Sequence, residues 1–424
     1  MPTFQTVRGM RDLLAEDAEM LNFVVGKARE TAQLYGYKEA ITPVVEPYEL
    51  LSAKSGEEIR QRMFIFKDLG DRAVALRPEF TASIARLATT ALKTEPKPLR
   101  VFSVGSVYRY DEPQRGRYRE FWQSNFELMG SSNPEADAEA ILLTNSMMKA
   151  TGLRDYAFKI GNIGVIRGIL SQEKVDEKVQ NAVLQLMDKK EHEEAFKLIE
   201  NEECRSVLQG LLELKGDTPF ETAENIKKYV AEYAEAEAAA DNLLEILQLV
   251  TANGCPVRSV EPAFARGLEY YTGMIFEVNV PELDIALGGG GRYDRLIEVF
   301  GGETTPAVGV AHGLDRVALA LQTQKTSLPG RRVKTAVVIP VKQELKGEAL
   351  EIAQMLREGG ASVEFEVMGR KMGKALEDAD KRQVDYAVIV GERELKDAAV
   401  VVRDLAKREQ ATVQIAELLD KIRA

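Results

Sequence analysis

Arginine is the residue type here whose placement first suggests chemistry. Arg109, Arg115, Arg117 and Arg119 crowd one stretch between Tyr108 and Phe121. A guanidinium fork gives two parallel, charge-assisted bonds to a phosphate, so such a cluster suits a phosphorylated ligand. It would equally serve as scattered charge on a solvated hairpin tip. Arg266 opens a second stretch, ARGLEYYTG, with Glu269, Tyr270 and Tyr271 close behind. On a strand, Arg266, Leu268 and Tyr270 would share a face. A buried arginine beside phenols suits an anionic transition state; a half-buried strand with core tyrosines is the plainer reading. GGGGRYD at 288–294 permits close backbone approach. It has neither the dinucleotide fingerprint nor the ending of a P-loop, and a tight connection between strands accounts for it. Arg316 follows in AVGVAHGLDR, where a solvated helix arginine is the default and His312 reads as a packed or hydrogen-bonded residue.

Other chemistries are poorly served. Only His192, His312, Cys204 and Cys255 are available. They make no triad, no zinc knuckle and no disulfide framework. A cation, where one is needed, would be a hard one arriving with a nucleotide, that is Mg2+ and not zinc.

The elements that must carry these residues can be read from spacing. Apolar residues at helical intervals (Leu21, Val24, Val25, Ala28) predict a helix over 17–35, closed by Gly36. A strand-like AITPVVEP follows, then a hairpin over 64–79 turning at Gly70-Asp71, and a helix from Thr81 to about Leu92. Residues 100–130 read as two β runs around the arginine loop, with Pro113 and Gly116 marking its turns. Residues 134–152 read as helix. From about 166 to 240 the chain turns rich in Glu, Lys, Leu and Ala, which predicts a helical insertion. Strands resume at 257–287, and AVGVAHGLDRVALAL reads as a strand entering a helix. Residues 325–333, with Pro329-Gly330, suit a linker. Beyond them strands and helices alternate, which implies a small, mostly parallel α/β domain over 334–424.

The length of 424 residues calls for two or three domains. No apolar run reaches the ~18–20 residues of a membrane span. The first residues lack a signal-type apolar run, so a cytoplasmic location is expected. The net charge is −11, unlike that of a passive nucleic-acid coat. It is uneven: residues 325–424 carry 19 Lys and Arg against 17 Asp and Glu, and the rest carry 37 against 50. A near-neutral tail on an acidic body permits nucleic-acid contact without demanding it.

Each signal is weak alone, but their order is not. The helix plus ITPVVEP with Pro43, then YRYD and RGRYREF around a loop, then AVGVAHGLDR, resemble the three motifs of class II aminoacyl-tRNA synthetases. ARGLEYYTG and ALGGGGRYD are similar to the two signatures of the histidyl-tRNA synthetase family, and LRPEFT at 76–81 also fits. The resemblance spans nearly the whole chain. It implies an α+β fold: an antiparallel sheet with flanking helices over 1–324, the helical insertion within it, and an α/β anticodon-binding domain over 334–424.

The resemblance also implies an activity. The carboxylate of histidine attacks the α-phosphate of ATP, bound with Mg2+, and histidine tRNA then takes the product. Arg109 would grip the α-phosphate and Arg117 the outer phosphates. Phe121 and Arg316 would sandwich the adenine, with Asp111 at its edge. Arg266 would stabilise the five-coordinate phosphorus, so Arg266 and Arg109 are the candidate catalytic residues. Glu79, Thr81 and Gln123 match positions that take the α-amino group. Glu127 and Tyr271 match those facing the imidazole, with Tyr270 beside them. Gln114 and Arg115 would meet the tRNA acceptor end, and the first motif would make a homodimer. Asp111 replaces a commoner Glu, and Glu112 stands where many members carry a basic residue. An inactive relative of this family, the regulatory subunit of ATP phosphoribosyltransferase, is the other reading. It usually lacks the C-terminal domain, which is present here. A synthetase for threonine, proline or glycine is disfavoured by ARGLEYYTG.

Overall fold

The computed structural model describes residues 4–53, 57–264, 270–326 and 334–423. The chain divides into two compact units, Met1–Leu328 and Pro329–Ala424.

The first unit is built on a sheet whose strands are scattered along the sequence. In chain order its strands are β1 (Lys38–Glu39), β2 (Val45–Pro47), β3 (Ile65–Lys67), β4 (Ala73–Leu76), β5 (Leu99–Tyr108), β6 (Glu120–Met129), β7 (Ala157–Asn162), β8 (Val257–Val260), β9 (Met274–Asn279), β10 (Gly288–Arg292) and β11 (Ala307–Gly313). Eight of them form one sheet in the order β1-β5-β6-β11-β10-β9-β7-β8. From β5 across to β7 every neighbouring pair is antiparallel; only the edges, β1 on β5 and β8 on β7, are parallel. The expected antiparallel sheet with flanking helices is therefore present. β2, β4 and β3 make a separate small antiparallel sheet.

The first helix, Ala15–Leu34, buries Leu21, Val24, Val25 and Ala28, the stripe its spacing predicts. It packs on helices Pro134–Thr151 and Leu314–Thr323. Pro134–Thr151 starts with proline in its first turn and ends at Gly152 in the left-handed region, as proline and glycine favour. The helical run is longer than its composition suggested, from Ile163 to Ala252 in six helices. It starts as soon as β7 ends, because the Asn162 side chain accepts the Gly164 N–H at 2.9 Å and caps it. It ends late because Leu243, Ile246, Leu247 and Val250 are buried in the main core.

Three expectations need correcting. AITPVVEP is not one strand: β1 ends at Glu39, β2 begins at Val45, and the residues between are irregular. Thr42 O and Pro43 O instead accept from the buried Arg77 guanidinium, at 2.8 and 3.4 Å. The glycine run is not a connection but a central strand, β10, between β9 and β11. A Cβ on Gly290 would fall 1.9 Å from Gly309 O, so side chains have no room there. Tyr270 lies in a turn, not on a strand. Arg266 and Glu269 lie outside the described residues, as do positions 327–333 of the expected linker.

The second unit has β12 (Thr335–Pro340), β13 (Ser362–Phe365), β14 (Tyr386–Val390), β15 (Ala399–Asp404) and β16 (Glu409–Gln414), in the order β13-β12-β14-β15-β16. The α/β alternation holds through β14. Then β15 and β16 return as hairpin-linked antiparallel strands, so the sheet is mixed instead of mostly parallel.

Candidate functional site

A cavity of about 270 Å³ lies over the middle of the large sheet. That volume is close to the lower end of ordinary ligand pockets, ~300 Å³. Its floor comes from β6, where Gln123, Asn125 and Glu127 alternate and so face the same side. All three are buried. The Glu127 carboxylate takes the Tyr293 hydroxyl as a donor, and the Asn125 amide donates to its other oxygen at 2.7 Å. Burial, then the neighbouring Glu127, raises the Tyr293 pKa well above that of an ordinary phenol, so the proton stays on the hydroxyl. Gly309 pairs with Glu127 across β6 and β11. A Cβ on Gly309 would sit 1.7 Å from the Glu127 carboxylate. The glycine therefore clears the space the carboxylate fills. The Gln123 side-chain oxygen is buried without a hydrogen-bond partner, an open acceptor at the cavity wall.

Glu79 and Thr81 stand at one rim. Both Glu79 oxygens cap the helix Thr81–Thr89, accepting from Thr81 N at 2.7 Å and Ala82 N at 3.1 Å. Tyr270 and Tyr271 close the floor from above. Their rings are 4.9 Å apart, and Tyr270 meets Tyr293 edge-on at 5.7 Å.

The arginines occupy the other end. Arg109 Nε donates to Pro78 O at 2.9 Å, and its guanidinium lies 5.5 Å from the Phe121 ring centre. Burial lowers its pKa, opposed by Glu79 and then Asp111. Arginine keeps its charge regardless, so a poorly solvated cation faces the cavity. Arg316 is no solvated helix residue. It lines the cavity, and donates to Gly116 O at 3.1 Å and Ala286 O at 2.9 Å.

The cavity does not gather every expected residue. Arg117 lines a neighbouring cleft of about 1070 Å³, which shares Arg316, Ala286 and Asp188 with the cavity. Asp111 stays outside the lining and forms an ion pair with Arg62 at 3.4 Å, and Arg62 does line it. Gln114 pairs with Arg117 across the loop tip, and Arg115 donates to Thr323 Oγ1 at 3.3 Å. Glu112 forms an ion pair with Arg8. His312 is enclosed, with its ring nitrogens 3.0 Å from Ser124 Oγ and 3.0 Å from Thr144 Oγ1. Burial pulls its pKa down to about 3, so it stays neutral and structural.

The sequence matches the family model described as histidyl-tRNA synthetase over residues 9–317, and that described as anticodon binding domain over 335–424. A histidine–tRNA ligase of Methanocaldococcus jannaschii is 40% identical, covering 98% of both chains. One from Metallosphaera sedula is 39% identical, covering 100% of this chain and 99% of its own. The chain belongs to the histidyl-tRNA synthetase family. Solved structures share its fold. The histidyl-tRNA synthetase of Nostoc sp. PCC 7120 superposes with a TM-score of 0.79 at 24% identity, over 100% of this chain and 99% of that one. A Bacillus halodurans protein titled as an ATP phosphoribosyltransferase regulatory subunit/histidyl-tRNA synthetase gives 0.76 at 26%, over 89% and 97%.

Set beside the family motifs, four site residues escaped the sequence reading: Arg62, Asn125, Tyr293 and Gly309. Asn125 was open to discovery, being two residues from both Gln123 and Glu127 on a strand. Tyr293 stood within the quoted GGGGRYD. Gly309 stood within the quoted AVGVAHGLDR, but its need to be glycine comes from Glu127, distant in sequence; Arg62 carried no local signal, since it matters through Asp111.

Proposed function

We propose that this chain joins histidine to histidine tRNA in two steps, both at the cavity over β6, β10 and β11. In the first, the histidine carboxylate attacks the α-phosphate of ATP; the new bond is an acyl phosphate and pyrophosphate leaves. In the second, a terminal ribose hydroxyl of the tRNA attacks the acyl carbon and AMP leaves. One observation carries this reading: a buried carboxylate held by a phenol and an amide shares a cavity of amino-acid size with three arginines, Arg62, Arg109 and Arg316.

Within it, Glu127, Tyr270 and Tyr271 meet the imidazole. A carboxylate and a phenol can satisfy both ring nitrogens, and an apolar mimic would leave them unpaired. Glu79, Thr81 and the open Gln123 oxygen take the α-amino group. Phe121 and Arg316 flank the adenine, Asp111 reaches its edge, and Arg117 holds the outer phosphates from the adjoining cleft. Arg109 and Arg266 place fixed positive charge where the phosphoryl oxygens gain it, which is the main work of such a step. Arg316 is parked on carbonyls that a ligand replaces. Among the described residues no group of three His, Cys, Asp or Glu side chains is placed to hold a metal. Mg2+, a hard cation that takes oxygen ligands, is assigned to the nucleotide's own phosphates.

Catalysis is assigned to residues 1–324 and anticodon reading to 334–424. Gln114 and Arg115, exposed on the loop, would meet the acceptor end. Exposed apolar residues in the first motif, Ile41, Val44 and Val45, support a homodimer through it. A monomeric mass in solution with full activity would remove that assignment. No described helix is long and apolar enough to cross a membrane, and a cytoplasmic location is the natural one for this work.

The test is amino-acid-dependent ATP–pyrophosphate exchange with each of the twenty amino acids. Exchange with histidine alone is expected. Silence with all twenty, from folded protein, would favour the regulatory relative. In the same assay Arg266→Ala should lose most adenylate formation while histidine still binds; near-normal turnover would remove its assigned role.

A further inference from the structure

The N-terminal segment before the first helix has no place in the scheme above, yet it touches both arginine-bearing elements of the nucleotide end. Three of its residues make these contacts. Arg8 forms an ion pair with Glu112 on the outgoing arm of the 109–119 loop. Gly9 O accepts from Arg119 N, on the returning arm, at 2.8 Å. Arg11 stacks over the Tyr118 ring, 3.5 Å from its centre, and forms an ion pair with Asp315.

Gly9 is required where it stands. Its φ is +85°, and a Cβ there would lie 2.8–2.9 Å from Arg119 Cγ and Cδ and from Pro113 Cγ. The segment thus lies against the loop more closely than any side chain allows.

Asp315 is the pivotal partner. It is buried, one carboxylate oxygen pairs with Arg11, and the other accepts from Trp122 N at 2.6 Å. Trp122 follows Phe121 in the chain, and Asp315 precedes Arg316. The bridge therefore joins the immediate neighbours of the two side chains assigned to the adenine faces. A carboxylate this deep needs its positive partner, since an unpaired buried charge is costly.

We infer that Arg11 is a positioning residue for the nucleotide: through Asp315 and the Trp122 amide it sets the spacing between Phe121 and Arg316. Arg8 and Gly9 hold the arms of the loop to the same strap. The inference rests on the assignment of Phe121 and Arg316 to the adenine, and it gives a role to Glu112, one of the two residues that depart from the family pattern. The strap acts on the nucleotide end alone, because the floor residues Glu127, Asn125 and Tyr293 are held by each other.

The test is histidine-dependent ATP–pyrophosphate exchange on the full chain, with KM measured separately for ATP and for histidine. Arg11→Met is expected to raise KM for ATP about tenfold, given that small misplacements of positioning groups cost up to ~100-fold. KM for histidine should hold. Arg11→Lys, which keeps the charge but loses the planar stack on Tyr118, should recover part of the loss. Phe121→Ala and Arg316→Ala serve as benchmarks. If both raise KM for ATP but Arg11→Met does not, the strap has no positioning role. If neither benchmark changes it, the adenine assignment itself fails. Equal rises in both KM values with a lowered melting temperature would mean general destabilisation and would also overturn the inference. Should Arg11→Met not fold, Asp315→Asn decides. It keeps an acceptor for Trp122 N–H but weakens the pair with Arg11, so a smaller rise confined to ATP is expected, and no rise refutes the strap.

Discussion

The two ends of the cavity are built on different principles. At the floor, Glu127 rises from a central strand, receives one donor on each oxygen, and fills space that Gly309 leaves clear. Its partners Asn125 and Tyr293 are buried with it. Nothing there has to move before a polar ligand arrives. At the arginine end, Arg117 is exposed on a loop and Arg316 is tied to backbone carbonyls 200 and 30 positions away in sequence. Those bonds must be exchanged for bonds to a phosphate or a base. On the assignments proposed above, choice of amino acid would be invested in the sheet, where geometry is rigid, and reaction in the loops, where it can adjust.

That contrast can be broken by substitution. Glu127→Ala should cost the most, about 10³-fold or more in kcat/KM for histidine in the exchange reaction, because the site's other polar groups lose the ligand that satisfied them. Binding of ATP alone, followed by equilibrium dialysis, should be unchanged; a parallel loss would mean the ends are not separable. Arg109→Ala comes next, with a fall of about 10²–10³-fold in exchange rate and intact histidine binding by calorimetry. Gly309→Ala should raise KM for histidine by roughly tenfold, through displacement of the carboxylate behind which it sits. Arg117→Ala, on the exposed loop, should change KM for ATP only a few-fold, since an exposed charge is screened.

A last effect concerns stability, not activity, and sharpens the contrast from beneath the floor. His312 has a folded pKa of about 3 against ~6.5 when unfolded. Between those values the unfolded chain binds a proton that the folded chain lacks, so stability falls as pH drops through that window. The share lost by pH 5 is about 2 kcal/mol. Asp137 works the other way: burial raises its pKa to about 6, with Arg292 opposing, so its share grows as pH falls from 6 towards 4. Denaturant titrations at pH 7 and pH 5 should show a shallower loss in His312→Gln than in the parent. An unchanged slope would mean that His312 is not the group responsible.

How much of this could be read from sequence depended on distance along the chain. The stripe Leu21, Val24, Val25, Ala28 and the two β runs flanking the arginine loop were legible, because periodicity is local. The glycine strand was misread, because a run without side chains carries no periodicity, and what makes it a strand is its pairing with β9 and β11. The partners of Arg316 were invisible for the same reason. Residue roles came from the family resemblance, not from spacing. The cavity makes sense of Glu127, Gln123 and Arg109 together, whereas Arg117 and Asp111 lie beside it.

The sheet order has a consequence for how the molecule is made. β11 is the last strand of the first unit to be synthesised, yet it sits in the middle, between β6 and β10. Until it emerges, β6 offers a bare edge whose residues are mostly buried in the finished protein. From the end of β6 at Met129 to the start of β11 at Ala307, translation at ~5–20 residues per second takes roughly nine to thirty-six seconds. For that interval the nascent chain carries an unpaired, buried-type strand, the kind of surface that aggregates or recruits chaperones. A ribosome that stalls before residue 307 would therefore release a fragment whose central seam cannot close. Finishing the sheet and assembling the site are a single late event in the life of each new chain.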